Sequence, residues 1–454
     1  MKRLALLIGL GWLGVSGCDH RITDTQPVVE PALDVQLRQS LGQWGAVPIG
    51  AMPAQNPAQV ALGRALFFDR ILSGNRDVSC ATCHDPAAGL GDGLSLPVGT
   101  GGTGHGAART PGVGRTFVPR QSPSLLNAGL GLFYVFWDGR LTRFGPEGGI
   151  RPIPGPTFPA AQDNVLIAQA MLPVLNRAEM RGNPGDLDVF GNQNELAQLG
   201  DDQNTAVWQA IMKRLMAVPE YVELFAAAFP GKPGNSLTFD DAARALAVFQ
   251  MEAFTRTRSP FDRFLERDDG ALTVEQKRGA ILFFGEARCA SCHSGPFMGG
   301  QQFANVGVPQ IGPGSSKQPP LDLGRAEVQN NEFYRFAFRV APLRNVELTA
   351  PYMHSGAYPT LEAVVRHYNN PDSAQRNYNP SHLSPSVRAM HHGDAATVKS
   401  VLETLDFRLR QPLRLTGTEQ TELVAFLKSL TDPAARNLGS IVPASVPSGL
   451  SVRD

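Results

Sequence analysis

Cys80-Ala81-Thr82-Cys83-His84 and Cys289-Ala290-Ser291-Cys292-His293 repeat one arrangement, CxxCH, and use four of the chain's five cysteines. That spacing suits covalent haem attachment: each sulfur forms a thioether to one vinyl group, and the histidine that follows is held under the ring to bind the iron. The pattern predicts two c-type haems with His84 and His293 as proximal ligands. Zinc is the competing chemistry, because four thiolates suit a tetrahedral metal. Structural zinc pairs stand roughly 15–20 residues apart, whereas these two lie in opposite halves of the chain and each carries its histidine. A thioredoxin-like redox pair is disfavoured for the same reason.

The elements that must position the two motifs repeat as well. Leu62-Gly63-Arg64-Ala65-Leu66-Phe67-Phe68 precedes the first, and Arg278-Gly279-Ala280-Ile281-Leu282-Phe283-Phe284 precedes the second. Apolar residues return every three or four positions over 242–254 and again over 419–430, which predicts a helix late in each half. The expected fold is mostly α, with two cytochrome c-like domains that carry one haem each, over 51–265 and 266–435, joined by long irregular loops. Residues 436–454 read as a tail. With 454 residues and 42% hydrophobic content, the chain can build a core for each half without disulfides.

The fifth cysteine bears on export. Lys2 and Arg3 precede an apolar run from Leu4 to Val15, followed by Ser16-Gly17-Cys18. The run is short for a span of ~20 residues, and the pattern resembles a lipoprotein signal over 1–17, with Cys18 as the lipidated N-terminus. A plain secretory signal is the alternative. Both place the mature chain in the periplasm, where bacterial c-type haem attachment takes place, and the lipid would be its membrane contact. Residues 18–50, with Pro27, Pro31 and Pro48, read as a tether. Forty-one basic and forty-one acidic residues leave no net charge to attract nucleic acid.

Two irregular stretches interrupt the first domain. Gly99-Thr100-Gly101-Gly102-Thr103-Gly104 matches GxGxxG, but no strand precedes it and no helix opens within it, so a loop over a haem face is expected instead of a dinucleotide site. The second stretch, 139–159, is rich in proline.

Further motifs accompany the haem sites: Trp137-Asp138-Gly139-Arg140, Gln169 through Glu179-Met180, Leu343-Arg344-Asn345, and Leu348-Thr349-Ala350-Pro351-Tyr352-Met353-His354. With them, residues 50–435 resemble the bacterial di-haem cytochrome c peroxidases, the family that contains MauG. The resemblance implies that the N-terminal haem is the peroxidatic one. Its distal pocket in the family has a glutamine, a proline four residues on and a glutamate six further, a spacing that Gln169, Pro173 and Glu179 reproduce. Glu179 is then the acid/base group that moves a proton between the peroxide oxygens, with Gln169 as its hydrogen-bonding partner.

In the family the second haem's distal ligand lies fourteen residues after the motif histidine, a count that from His354 reaches Tyr368. Conventional peroxidases have methionine there and MauG has tyrosine. Leu361, Val364, Val365 and Tyr368 fall on one helical face, and the rival His367 projects about 100° away. Trp137 resembles the tryptophan that relays an electron between the haems. Arg140 and Arg344 suit haem propionates or the domain interface. Thr349 and Pro351 match the carbonyl donors of an inter-haem calcium, although Gln121 replaces the partner asparagine. His105 is either a resting-state cap on the first haem or a solvated loop residue. The tryptophan through which MauG oxidises its partner protein is Ala287 here.

The function implied is peroxide cleavage at the N-terminal haem, with the second oxidising equivalent stored on a His/Tyr-ligated haem and a partner protein or other donor supplying electrons. A conventional peroxidase that draws electrons from a small cytochrome is the alternative. A non-catalytic di-haem carrier is a third.

Overall fold

The computed structural model describes residues 32–143, 149–152, 155–158, 162–315 and 317–452. The signal segment 1–17 and Cys18 lie outside them. The described chain is mostly helical, with paired two-residue strands in its loops, and 33–454 forms one compact unit.

Two large hydrophobic cores dominate it, one around each CxxCH segment. The repeated sequence builds the repeated core. Helix Pro57–Phe68 packs on Phe239–Phe254, and helix Val274–Phe284 packs on Gly417–Ser429. Gly63 and Gly279 hold the same place in the two repeats. A Cβ on Gly63 would stand 2.0 Å from the Ala245 carbonyl oxygen, and one on Gly279 would stand 1.9 Å from that of Glu422. Only a residue without a side chain lets these helices touch backbone to backbone. The phenylalanine pairs that end the repeats fill the space beside the contact. Phe67 and Phe68 meet Phe249 at 5.5 and 6.3 Å between centroids, while Phe283 and Phe284 meet Phe426 at 5.2 and 5.9 Å. Burying each ring stabilises by about 1.5–3 kcal/mol.

A second duplicated element, unread from sequence, joins the halves. Leu125-Leu126-Asn127 and Leu343-Arg344-Asn345 each end on an asparagine in the left-handed region, with φ of 62° and 64°. Both asparagines grip Arg256 in the connection between the cores. Asn127 accepts from the Arg256 amide at 2.7 Å and donates to its carbonyl at 2.9 Å, and Asn345 donates to the same carbonyl at 3.1 Å.

The ends of the chain depart from expectation. Leu33–Gln43, within the segment read as a tether, is a helix that buries Leu37 and Leu41 in the second core. Trp44 Nε1 donates to the Phe284 carbonyl at 2.8 Å and Lys277 pairs with Asp34 at 2.7 Å. The helix is short and is held by burial of Leu37 and Leu41 against residues from far along the chain, which local proline content does not reveal. The tail after 435 packs on the first core, where Arg64 Nε donates to the Ile441 carbonyl at 2.7 Å and Ser448 Oγ to Asp69 at 2.6 Å. Phe261 and Phe264, placed by sequence at the end of the first domain, are buried in the second core. Among the described residues no helix is long and apolar enough to cross a membrane.

Candidate active site

Each CxxCH segment forms one short helical turn, Cys80–Cys83 and Cys289–Ser291, which brings its two thiols and its histidine together. The four cysteines are partly buried. His84 Nδ1–H donates to the Leu90 carbonyl at 3.0 Å, and His293 Nδ1–H to the Met298 carbonyl at 3.1 Å. Burial holds both imidazoles down at about 4, hence neutral. A neutral ring anchored through Nδ1 offers Nε2 to a metal.

Trp137, Cys289, Cys292, His293, Arg344 and Tyr368 line one cavity of about 270 Å³. Arg339 also lines it. Its side chain is 7% exposed, Nε donates to the Phe136 carbonyl at 3.1 Å, and Nη1 has no partner. An unpaired buried guanidinium N–H beside two thiols and a bare imidazole nitrogen fits a haem whose propionates are anionic. Sequence reasoning nominated Arg344 for such a contact, but Arg344 pairs with buried Asp262 and donates to the Pro296 carbonyl at 2.7 Å. Ala287 is buried in the same wall.

Helix Leu361–Asn369 presents Leu361, Val364, Val365 and Tyr368 to this cavity. Burial, with smaller effects from Cys292 and Cys289, raises the Tyr368 phenol well above its usual range. His367 turns away. Its Nε2–H donates to the Val306 carbonyl at 2.7 Å, and its Nδ1 accepts from Tyr358 Oη at 2.8 Å.

The Trp137-Asp138-Gly139-Arg140 motif is a turn that places the indole. Trp137 Nε1 donates to the Gln121 carbonyl at 2.8 Å, while Asp138 accepts from the Arg140 amide at 3.0 Å and pairs with Arg120 at 2.5 Å. Gly139, at φ +63°, could carry no Cβ, which would sit 2.3 Å from the Phe303 ring. Arg140 lies 4.1 Å over Phe136, whose own φ of +65° is a strained value for a bulky residue. Thr349 and Pro351 also line the cavity, and no cluster of three acidic, histidine or cysteine side chains that could hold a metal occurs among the described residues.

Gln169, Pro173 and Glu179 follow one another on helix Val165–Ala170, turn Pro173–Leu175 and the π-turn Arg177–Arg181. Glu179 is partly buried and Asn176 Nδ2 donates to its Oε1 at 2.8 Å. Burial raises its carboxyl above the usual range, opposed by the nearby Arg140 charge. Burial raises the Cys83 thiol, with smaller contributions from the Asp92 and Glu179 charges. Glycines press on this turn from two sides: a Cβ on Gly99 would stand 2.1 Å from the Ala178 carbonyl oxygen, and one on Gly74 would stand 1.9 Å from that of Arg181. The 99–104 stretch therefore packs against the Glu179 backbone, with Thr100 N donating to the Glu179 carbonyl at 2.9 Å. Arg109, missed from sequence, stiffens that stretch by donating to the Val98, Gly99 and Gly104 carbonyls at 2.9–3.0 Å. His105 is exposed at its tip.

Two attachment motifs with anchored histidines, and a partly buried carboxylate of raised pKa on the Arg177–Arg181 turn, suit a c-type di-haem protein of peroxidase character. The comparisons agree. The model of the di-haem cytochrome c peroxidases matches residues 57–270. Cytochrome c551 peroxidase of Pseudomonas aeruginosa is 33% identical over 307 residues, covering 68% of this chain and 70% of its own. Methylamine utilization protein MauG of Methylorubrum extorquens is 29% identical over 437 residues, covering 96% and 95%. A crystal structure of a MauG-like protein associated with microbial copper homeostasis superposes with a TM-score of 0.56 at 25% identity, over 86% of this chain and 94% of that one. The di-haem peroxidase BthA of Burkholderia thailandensis, 21% identical with a TM-score of 0.57, shares the fold. The chain belongs to the di-haem cytochrome c peroxidase family and is an enzyme acting on hydrogen peroxide.

Proposed function

We propose that this enzyme is of the MauG-like kind: peroxide is cleaved at the His84 haem, and the second oxidising equivalent is held at a haem ligated by His293 and Tyr368. The single observation that carries this reading is Tyr368 in the wall of the cavity that holds Cys289, Cys292 and His293, with its rival His367 engaged at both nitrogens. When bound, the two haems supply the redox chemistry, and a phenolate-type oxygen ligand favours higher iron oxidation states where a thioether favours the reduced one.

The chain's own groups handle the protons. Glu179 takes a proton from one peroxide oxygen and returns it to the other, for which a carboxyl with a raised pKa is suited. Asn176 holds that carboxyl in place and Gln169 assists. Trp137, pinned through its indole N–H, is the route for an electron between the two haem-bearing halves. Arg140 steadies the Trp137 turn, and Arg339 balances charge around the second haem while Arg344 is neutralised by Asp262. A calcium bound by the Thr349 and Pro351 carbonyls and a periplasmic, Cys18-anchored location complete the proposal.

The relatives divide between MauG and cytochrome c peroxidases, so the donor here is either a partner protein that is oxidised or a small cytochrome. Stoichiometric peroxide added to the diferric protein decides between them. Oxidation of both haems without prior reduction, with a near-infrared charge-resonance band, is the expected result, and Tyr368→Phe should change the low-spin spectrum and abolish the band. Reaction only after one haem is reduced would mean a conventional, cytochrome-fed peroxidase.

A further inference from the structure

Beyond Tyr368 the rings continue. The His367 ring lies 5.5 Å from that of Tyr368, Tyr358 lies 5.1 Å from His367, and Tyr378 lies 5.7 Å from Tyr358. His391 and His382 flank Tyr378 at 5.2 and 5.9 Å. The inner members are buried, with His367 at 1% and Tyr358 at 7% exposure, whereas His382 is exposed. We propose that Tyr368, His367, Tyr358 and Tyr378 form a wire that carries oxidising equivalents from the second haem cavity to the surface at His382. The proposal rests on the reading above that such an equivalent is held beside Tyr368.

Two features fit charge transfer better than packing alone. A buried phenol is hard to ionise first, so its electron must leave together with its proton, which needs an acceptor already in place. His367 is that acceptor. Its Nε2–H is committed to the Val306 carbonyl at 2.7 Å, which leaves Nδ1 as a bare lone pair receiving Tyr358 Oη–H at 2.8 Å. Tyr378 Oη is likewise anchored, donating at 2.7 Å to the Ala357 carbonyl, which also receives His382 Nε2–H at 3.0 Å.

Each passage moves one electron. Tyr358 gives an electron inward and its phenolic proton to His367 Nδ1. An electron from Tyr378 then refills Tyr358, the proton returns from His367 to the Tyr358 oxygen, and Tyr378 releases its own proton to water. The Tyr378 radical takes one electron and one proton from a one-electron reductant in solution, of the ascorbate or phenol class. Two passages account for the two electrons by which one peroxide, with two protons, becomes two waters.

The test treats the holoprotein with peroxide in the presence of a nitroso spin trap and maps adducts by mass spectrometry, in both the diferric and the half-reduced forms. Wild type should carry the adduct on Tyr378. Tyr358→Phe should lose it while both resting haem spectra and the rate of reaction with the first equivalent of peroxide, which precedes any passage along the wire, stay as in wild type. In Tyr378→Phe, which keeps the inner pair, the tyrosyl electron paramagnetic resonance signal should persist without a surface adduct. An undiminished Tyr378 adduct in Tyr358→Phe, or none on Tyr378 in wild type, overturns the wire. Adduct formation confined to the half-reduced form would instead withdraw the Tyr368-haem reading and leave the Tyr358 comparison to decide the wire.

Discussion

Glu179→Gln is the sharpest test of the peroxide chemistry. The substitution keeps the length of the side chain and an oxygen able to accept from Asn176 Nδ2, so the π-turn Arg177–Arg181 should hold its shape. It removes the exchangeable proton. A positioned acid/base group contributes about 10²–10⁴-fold, which at 1.36 kcal/mol per tenfold is a barrier increase of about 3–5 kcal/mol. The pH profile follows from the direction of the shift. Burial raises the Glu179 carboxyl, so its base form is lost on acidification at a higher pH than for an exposed glutamate, and the wild-type rate should fall along that limb. In the variant the limb should vanish. Stopped-flow absorbance after one equivalent of peroxide reads both effects, with a pyridine haemochrome assay to verify that two haems are attached. A variant that reacts as fast as wild type, or keeps the same acid limb, would remove Glu179 from the mechanism.

Gly99→Ala would drive a Cβ to 2.1 and 2.3 Å from the carbonyl oxygens of Ala178 and Glu179. Backbone cannot yield as a side chain can, so a loss of about 1–3 kcal/mol is expected, with a slower peroxide reaction and both haems retained; Gly149→Ala, with nothing within 4 Å, should change neither. Asp92 is 2% exposed, its Oδ2 has no partner, and burial lifts its carboxyl to about 7, against the pull of the Leu94 amide. Below the unfolded pKa both states are protonated and nothing is lost. As pH rises toward 7 the unfolded chain ionises while the folded one holds its proton, so stability falls by at most about 4 kcal/mol. Asp92→Asn should therefore outlast wild type in denaturant at about pH 8 and lose that advantage near pH 4, and an advantage independent of pH would refute the assignment.

Linear chemistry was legible without coordinates. The CxxCH motifs need only spacing, because both thiols and the histidine sit on one short turn, and the repeated helices were visible because their apolar period and glycine recur. Helices at 242–254 and 419–430 were legible from the same period, but that each packs on the repeat of its own half emerges only from the tertiary contacts. The helix Leu33–Gln43 was hidden because its stabilising contacts, Phe284 and Lys277, come from far along the chain. Arg339 and Arg344 are indistinguishable as arginines near one motif, and only packing reveals that Asp262 satisfies Arg344 while Arg339 Nη1 is left without a partner. The stiffness of the glycine stretch comes from Arg109 reaching three carbonyls, a feature that composition disguises as looseness.

What the sequence determined by itself is the covalent and local chemistry: two haem attachment points, their histidines, and the helical repeats that carry them, all set by spacings within about two helical turns. What only the tertiary structure decided is which groups face one another. The orientation of Tyr368 into the cavity and of His367 out of it, the pinning of Trp137 to Gln121, and the carboxyl shift at Glu179 depend on burial and on neighbours brought together across the chain. Desolvation and hydrogen-bond geometry are properties of that three-dimensional surrounding.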